Sequence, residues 1–253
     1  HYRVWTAVPN KAAPASGYPI LYMLDGNAVM DRLNDDLLKQ LAEKSPPVIV
    51  AVGYQTNLPF DLNGRAYDYT PAAESGKTDT RNGRFNRKSG GSNDFRQLLE
   101  TRIAPKVEQG LNIDRQRRGL WGHSYGGLFV LDAWLSSPYF RTYYSASPSL
   151  GRGHDALLSR ITAVEPSQYC ARRLMIMEGS ATPGDNRETH AAGVLTKIHA
   201  TLATLEDKGV NAAFWDFPNL GHGPMFNASF RGALLDISGE NAGNTAGCHS
   251  LSR

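Results

Sequence analysis

The feature that most constrains this chain is a Gly-x-Ser-x-Gly motif placed between a short apolar segment and a helical pattern. Residues 120–128 read LWGHSYGGL, so Ser124 lies between Gly122 and Gly126. A serine in this context sits on a tight strand-to-helix turn that exposes its hydroxyl above the edge of a sheet. We expect both glycines to remove Cβ atoms that would clash in the turn. The motif therefore predicts a nucleophilic serine at the end of a buried strand.

The other apolar segments alternate between strand-like and helix-like patterns. Two continuous apolar runs, residues 20–24 and 48–52, are typical of buried parallel strands, and residues 2–8 of an edge strand. Further strands are predicted at 119–121, 142–146, 174–177 and 212–217, and helices at 35–43, 94–107 (with Asn93 or Asp94 as N-cap), 128–135, 188–207 and 225–235. This alternation predicts an α/β fold with a mostly parallel central sheet and helices on both faces.

Length and charge limit the organisation of the chain. The 253 residues predict one domain over 1–238, which includes a long polar, Arg-rich loop at 55–93, and a polar C-terminal tail at 239–253. The net charge of +3 comes without a lysine-rich run, so we expect no nucleic-acid partner. No apolar run is long enough for a transmembrane segment.

His222 is the candidate general base for Ser124. It follows the last predicted strand, between Gly221 and Gly223. In this type of fold the histidine follows the serine late in the chain, on the loop after the last strand. A neutral imidazole there accepts the serine proton and returns it to the leaving alcohol. His123 fits this role less well, since its side chain should point into the domain.

The third catalytic member has no distinctive motif. Glu178, Asp185 and Glu188 follow the predicted strand at 174–177, and each is a candidate acid. An acid orients the imidazole and stabilises its cation. A Ser–His dyad without an acid remains equally open.

Two backbone N–H groups should form the oxyanion hole. One belongs to Tyr125, directly after the nucleophile. The other should follow an early strand, where Leu24, Asp25 and Gly26 precede Asn27, and either Gly26 or Asn27 is the candidate.

Arginines near the predicted site suggest an anionic substrate. Arg65 is the candidate substrate-binding residue, because a guanidinium binds anionic oxygens by charge-assisted hydrogen bonds. Further along the loop, cations outnumber acids: Lys77, Arg81, Arg84, Arg87, Lys88 and Arg96. A solvated surface loop explains that cluster as well as substrate binding does.

The two cysteines, Cys170 and Cys248, are far apart and form no C-x-x-C pattern. They argue against a zinc site, and no other metal-ligand cluster is visible. A disulfide between the tail and the body, or two unpaired thiols, both fit the sequence.

Four segments together carry a family resemblance: 122–127 (GHSYGG), 24–26 (LDG), 65–71 (RAYDYTP) and 221–223 (GHG). They resemble the esterase D-type branch of the α/β-hydrolases, and within it the siderophore trilactone esterases. The resemblance spans most of the chain, from about residue 20 to residue 237.

The resemblance implies hydrolysis of the ester bonds in catecholate siderophores, enterobactin and its glucosylated form salmochelin, to linear forms. It also implies a periplasmic enzyme of iron acquisition that uses a Ser–His dyad, with Arg65 contacting the catecholate. No cofactor is expected, because any iron would be carried by the substrate. A general carboxylesterase or thioesterase, and a non-catalytic siderophore-binding protein, are the alternatives.

Overall fold

The molecule is built on one seven-stranded sheet. The structure, a computed structural model, describes residues 1–72, 87–151, 153–180 and 193–239. The strands are β1 (Tyr2–Ala7), β2 (Tyr18–Met23), β3 (Val48–Tyr54), β4 (Ile113–His123), β5 (Thr142–Ala146), β6 (Arg173–Gly179) and β7 (Ala212–Phe217). Their order is β1-β3-β2-β4-β5-β6-β7, and only β1 runs antiparallel to its neighbour. The predicted α/β fold with a mostly parallel sheet is confirmed.

Helices cover both faces of the sheet. They are α1 (Gly26–Arg32), α2 (Asp35–Ala42), α3 (Leu62–Asp68), α4 (Ser92–Leu98), a π-helical turn (Leu99–Ile103), α5 (Ala104–Glu108), α6 (Tyr125–Ser136), α7 (Ala156–Thr162), α8 (Pro166–Tyr169), α9 (Val194–Asp207) and α10 (Met225–Ile237). None of the helices described is long and apolar enough to cross a membrane.

Alternate side chains of the central strands pack into two separate hydrophobic cores, one on each face of the sheet. Ile20 and Tyr22 of β2 pack on one face with α4, α6, α7 and α9. Leu21 and Met23 pack on the other face with α1, α2 and α10. Because both faces are covered, the strand is apolar at every position, which explains the continuous run in the sequence.

Strand β4 is longer than the sequence predicts. It extends from Ile113 to His123, and only its second half is buried. The first half carries exposed polar and charged residues, among them Arg115 and Gln116, so no apolar run marks it. Its pairing with both β2 and β5 places the nucleophile motif in the middle of the sheet.

The predicted N-cap of the helix at 94–107 is wrong. Helix α4 begins at Ser92 with Gly91 as N-cap, and the side chain of Asn93 accepts a hydrogen bond from Arg96 over 2.7 Å. Asn93 and Asp94 therefore lie inside the first turn of the helix and not before it, so neither is its N-cap. The predicted single helix is also interrupted by the π-helical turn between α4 and α5.

The described part of the polar stretch at 55–93 contains helix α3, which the composition of the stretch does not indicate. Asp61 caps α3 by accepting the N–H of Gly64 over 2.9 Å. The cations Lys77, Arg81 and Arg84 lie outside the described residues, as do residues 240–253 of the tail with Cys248. Cys170 is buried and disulfide-bonded.

Candidate active site

Ser124 occupies the turn between β4 and α6. Its backbone has φ 64° and ψ −116°, a conformation that non-glycine residues rarely adopt. Backbone hydrogen bonds hold the turn: among them, the Ser124 N–H donates to Ala146 O over 2.9 Å, and the Leu128 N–H donates to Ser124 O over 3.0 Å. The strained serine of a strand-to-helix turn is therefore present, as the motif predicts.

The glycines of this turn do not all serve the same purpose. A Cβ on Gly122 would collide with the carbonyl oxygen of Gly126, and a Cβ on Gly127 would lie 2.6 Å from Ala146 O. A Cβ on Gly126 would come no closer than 3.6 Å to its nearest neighbour, Leu24. The expectation that Gly126 removes a clash is therefore wrong, and Gly127 has that role.

The loop between β7 and α10 brings His222 to the serine. His222 Nε2 lies 3.2 Å from Ser124 Oγ, within hydrogen-bonding distance of a general base. Parallel strands end at the same edge of the sheet, so a loop after β7 and a turn after β4 reach the same region. The two residues selected from the sequence lie together in the geometry that proton transfer requires.

His123 supports the loop that carries His222. Its Nε2 lies 2.9 Å from the backbone oxygen of His222, and the two rings are 4.7 Å apart. Since the partner atom is a carbonyl oxygen, His123 donates. Burial is the main cause that lowers the pKa of His123 to about 3, and the charge of His222 adds to it, so this imidazole is neutral at physiological pH.

A second hydroxyl contacts the nucleophile. Ser149 Oγ lies 3.0 Å from Ser124 Oγ, and the Ser149 N–H donates to Ser124 O over 3.2 Å. Ser149 follows β5, at the same edge of the sheet. Sequence reasoning missed this residue because serines in loops are common and no motif surrounds it.

The candidate oxyanion donors lie at the starts of two helices. Gly26 and Asn27 open α1, and Tyr125 opens α6, so their N–H groups have no acceptor within the helices. A Cβ on Gly126 would lie 3.7 Å from Asp25 Oδ2, which shows how close the two turns are. The Asn27 side chain is bonded to both backbone groups of Tyr54, which anchors α1 against β3.

Arg65 lies beside the site in a buried ion pair. Its Nε and Nη2 donate to Asp25 Oδ1 and Oδ2 over 2.8 and 3.0 Å, and its side chain is 11% exposed. The guanidinium carbon is also 5.4 Å from the ring of Tyr125. Burial is the largest single cause and acts to lower the pKa of Arg65, but the charge and hydrogen bonds of Asp25, together with the nearby Tyr69 and Tyr54, raise that pKa overall. Two donor groups of the predicted substrate-binding residue are thus engaged within the protein.

Only one of the three candidate acids lies in the described part of the structure. Glu178 is buried near the end of β6, at 2% exposure, whereas Asp185 and Glu188 lie outside the described residues. A third catalytic acid stays a prediction. In the described part of the chain, no three His, Cys, Asp or Glu side chains group as metal ligands.

The chain resembles one family and several named proteins. The putative esterase family matches residues 1–216. The apo-salmochelin esterase of Escherichia coli O6:H1 (strain CFT073) is 86% identical over 252 residues, which is 100% of this chain and 79% of that protein. This relative is similar over nearly all of the present sequence.

Two solved structures are also similar. The enterobactin and salmochelin hydrolase IroE has 79% sequence identity and a TM-score of 0.83, over 95% of this chain and 90% of that chain. An IroE complex with DFP has 81% identity and a TM-score of 0.84, with the same coverage of both chains.

Proposed function

Since this chain belongs to the esterase family, we propose that it is a serine esterase that hydrolyses the trilactone ester bonds of the catecholate siderophores enterobactin and salmochelin to linear forms. The chemistry rests on one observation, the 3.2 Å between Ser124 Oγ and His222 Nε2. The substrate class rests on the 86% identity to an apo-salmochelin esterase and on the similarity to IroE. The DFP complex of IroE supports a serine hydrolase.

The geometry supports a two-step acyl transfer. Ser124 Oγ attacks the lactone carbonyl carbon while its proton passes to His222 Nε2. The N–H groups of Tyr125 and of Gly26 or Asn27 stabilise the oxyanion that forms. When the tetrahedral intermediate collapses, the ester C–O bond breaks and the leaving alkoxide takes the proton from His222. Water then attacks the acyl carbon while His222 takes its proton. The bond between that carbon and Ser124 Oγ breaks, and His222 returns the proton to Ser124 Oγ.

The reaction needs no cofactor under this proposal. Every proton and electron pair is accounted for by Ser124, His222, water and the ester. Iron, where present, enters with the siderophore. Dialysis against a chelator should therefore leave the hydrolysis rate of apo-enterobactin unchanged, and a rate restored only by added metal would contradict the proposal.

We place the enzyme in the periplasm. The disulfide at Cys170 supports this, because such bonds persist in oxidising compartments. Osmotic-shock fractionation of cells that express the full-length protein tests the assignment. The enzyme should be released with periplasmic markers, and retention with cytosolic markers would contradict the assignment.

The function is tested by incubating the protein with apo-enterobactin and following products by chromatography and mass spectrometry. The wild type should yield ring-opened linear trimer, and Ser124→Ala should yield none while still binding the siderophore. An intact ring together with turnover of p-nitrophenyl acetate would favour a general carboxylesterase or thioesterase. Tight siderophore binding without cleavage of any ester would favour a binding protein.

A further inference from the structure

Arg32 lies at the carboxyl end of α1, on the same side of the molecule as the candidate site. Its guanidinium carbon is 4.4 Å from the ring centre of Phe226 and 5.9 Å from that of Phe60. The Phe226 ring in turn lies 5.4 Å from the ring of His123. One aromatic side chain therefore separates Arg32 from the histidine that contacts His222.

The charge of Arg32 reaches the site. Burial is the largest cause of the lowered pKa of His123, followed by His222, and the positive charges of Arg65 and then Arg32 add to the same lowering. A helix rises about 1.5 Å per residue, so the six steps from Gly26 to Arg32 span about 9 Å. Arg32 therefore lies within about 9 Å, measured along the helix axis, of the candidate oxyanion donors at the start of α1.

Arg32 also has more hydrogen-bonding capacity left for a ligand than Arg65 has. The residue is exposed, and its guanidinium makes no hydrogen bond or ion pair within residues 1–72, 87–151, 153–180 and 193–239. Arg65 by contrast is 11% exposed and bound to both oxygens of Asp25. The contacts of Arg32 with Phe226 and Phe60 occupy none of its N–H donors in hydrogen bonds, so the guanidinium is able to donate to an anionic ligand.

Phe60 lies between the two arginines and completes a surface that is partly aromatic and partly cationic. Its ring centre is 5.9 Å from the guanidinium carbon of Arg32 and 5.5 Å from that of Arg65, and it contacts Phe226 at 5.8 Å. An aromatic ring that carries anionic oxygens matches such a surface, because its face packs on phenylalanine and its oxygens accept from a guanidinium.

We propose that Arg32 is a substrate-binding residue that binds the anionic catecholate oxygens of the siderophore, beside a ring held against Phe60. This inference rests on the proposed function, because the catecholate is what the proposed substrate supplies. Under this proposal the exposed Arg32 binds the negatively charged group of the substrate, while Arg65 remains paired with Asp25.

The test compares Arg32→Met, Arg32→Lys and Arg102→Met. Methionine keeps an unbranched apolar stem without charge, and Arg102 is a matched exposed arginine on the π-helical turn. We expect Arg32→Met to raise the KM for ferric enterobactin about 10-fold or more, with kcat changed far less. The ratio of kcat/KM for the siderophore to that for neutral p-nitrophenyl acetate should fall accordingly, partly recover in Arg32→Lys, and stay unchanged in Arg102→Met.

A binding measurement keeps this proposal separate from the proposed function. In the Ser124→Ala background, Arg32→Met should weaken ferric-enterobactin binding about 10-fold and reduce its dependence on salt. Equal affinity with and without Arg32 would overturn the proposal, even if the wild type cleaves the siderophore. If the wild type cleaves nothing, the proposed function fails while the binding comparison still decides the role of Arg32.

Discussion

The ring nitrogen Nε2 of His123 donates a hydrogen bond to the backbone carbonyl oxygen of His222 over 2.9 Å. His123 is adjacent in sequence to the nucleophile, so this bond links the turn of Ser124 directly to the loop of the general base. An acid in a triad orients the imidazole itself. His123 instead restrains the backbone from which the imidazole of His222 projects.

Removing this donor should reduce kcat. His123→Phe keeps a ring against Phe226 but leaves the carbonyl oxygen of His222 without its partner, so the base loop should shift. A displacement of this kind costs about 10-fold or more in kcat. The measurement is p-nitrophenyl acetate hydrolysis, with His123→Gln as the control that retains a side-chain N–H donor. Unchanged kcat in His123→Phe, or no recovery in His123→Gln relative to it, would contradict this positioning role.

The buried His123 should also make stability depend on pH. Its pKa is about 3 in the fold, against 6.5 as the ordinary value. Below pH 6.5 the unfolded chain binds a proton that the folded protein does not, so stability falls as pH decreases toward 3. Between pH 6.5 and pH 5 this contributes a loss of about 1 to 2 kcal/mol. Urea unfolding should show a smaller loss in His123→Gln, and equal losses in both proteins would disprove the assignment.

Ser149 should contribute to the reactivity of Ser124. When Ser124 donates its proton toward His222 Nε2, the Ser149 hydroxyl 3.0 Å away is able to donate to Ser124 Oγ and to stabilise its developing charge. A hydrogen bond to a charged group is worth about 1.5 to 3 kcal/mol, so Ser149→Ala should slow inactivation by DFP about 10-fold. Ser149→Thr keeps the hydroxyl and serves as the control. A rate in Ser149→Ala equal to that of the wild type would exclude this contribution.

The two glycines of the motif should respond differently to alanine. A new Cβ at residue 122 collides with the carbonyl oxygen of Gly126, and because the three nearest atoms are all backbone atoms of Gly126, no side-chain movement relieves the clash. Gly122→Ala should therefore fail to fold or unfold several degrees lower. Gly126→Ala meets only contacts of 3.6 Å or more, and alanine favours a helix by about 1 kcal/mol over glycine. Thermal unfolding checks this, and equal destabilisation of both variants would refute the steric argument.

The ion pair of Arg65 and Asp25 should be important for stability. Removing one partner leaves the other charge buried, which costs about 3 to 5 kcal/mol. Arg65→Met should therefore lower the free energy of unfolding in urea as well as siderophore turnover. Lys197→Met, which removes the exposed ion pair of Lys197 with Asp155, is the control and should cost less. Equal unfolding free energies for Arg65→Met and the wild type would show that the pair is not structural.

Much of the fold was predictable because its signals are local. The apolar runs at 20–24 and 48–52 need cover on both faces, and parallel strands in the sheet meet that need. The strands at 142–146 and 212–217 have the predicted bounds. Helix α3 was missed because a single capping residue, Asp61, marks it within a polar stretch.

The nucleophile turn and its candidate base could both be predicted from local sequence patterns. Gly122 and Ser124 act through a turn of a few residues, and His222 follows the last strand, so order along the chain is sufficient to select them. Tertiary structure alone decided which groups surround them. Ser149, His123 and Asp25 reach their partners because strands distant in sequence end at one edge of the sheet. The same packing pairs Arg65 and leaves Arg32 exposed, a difference of burial that no local pattern of residues encodes.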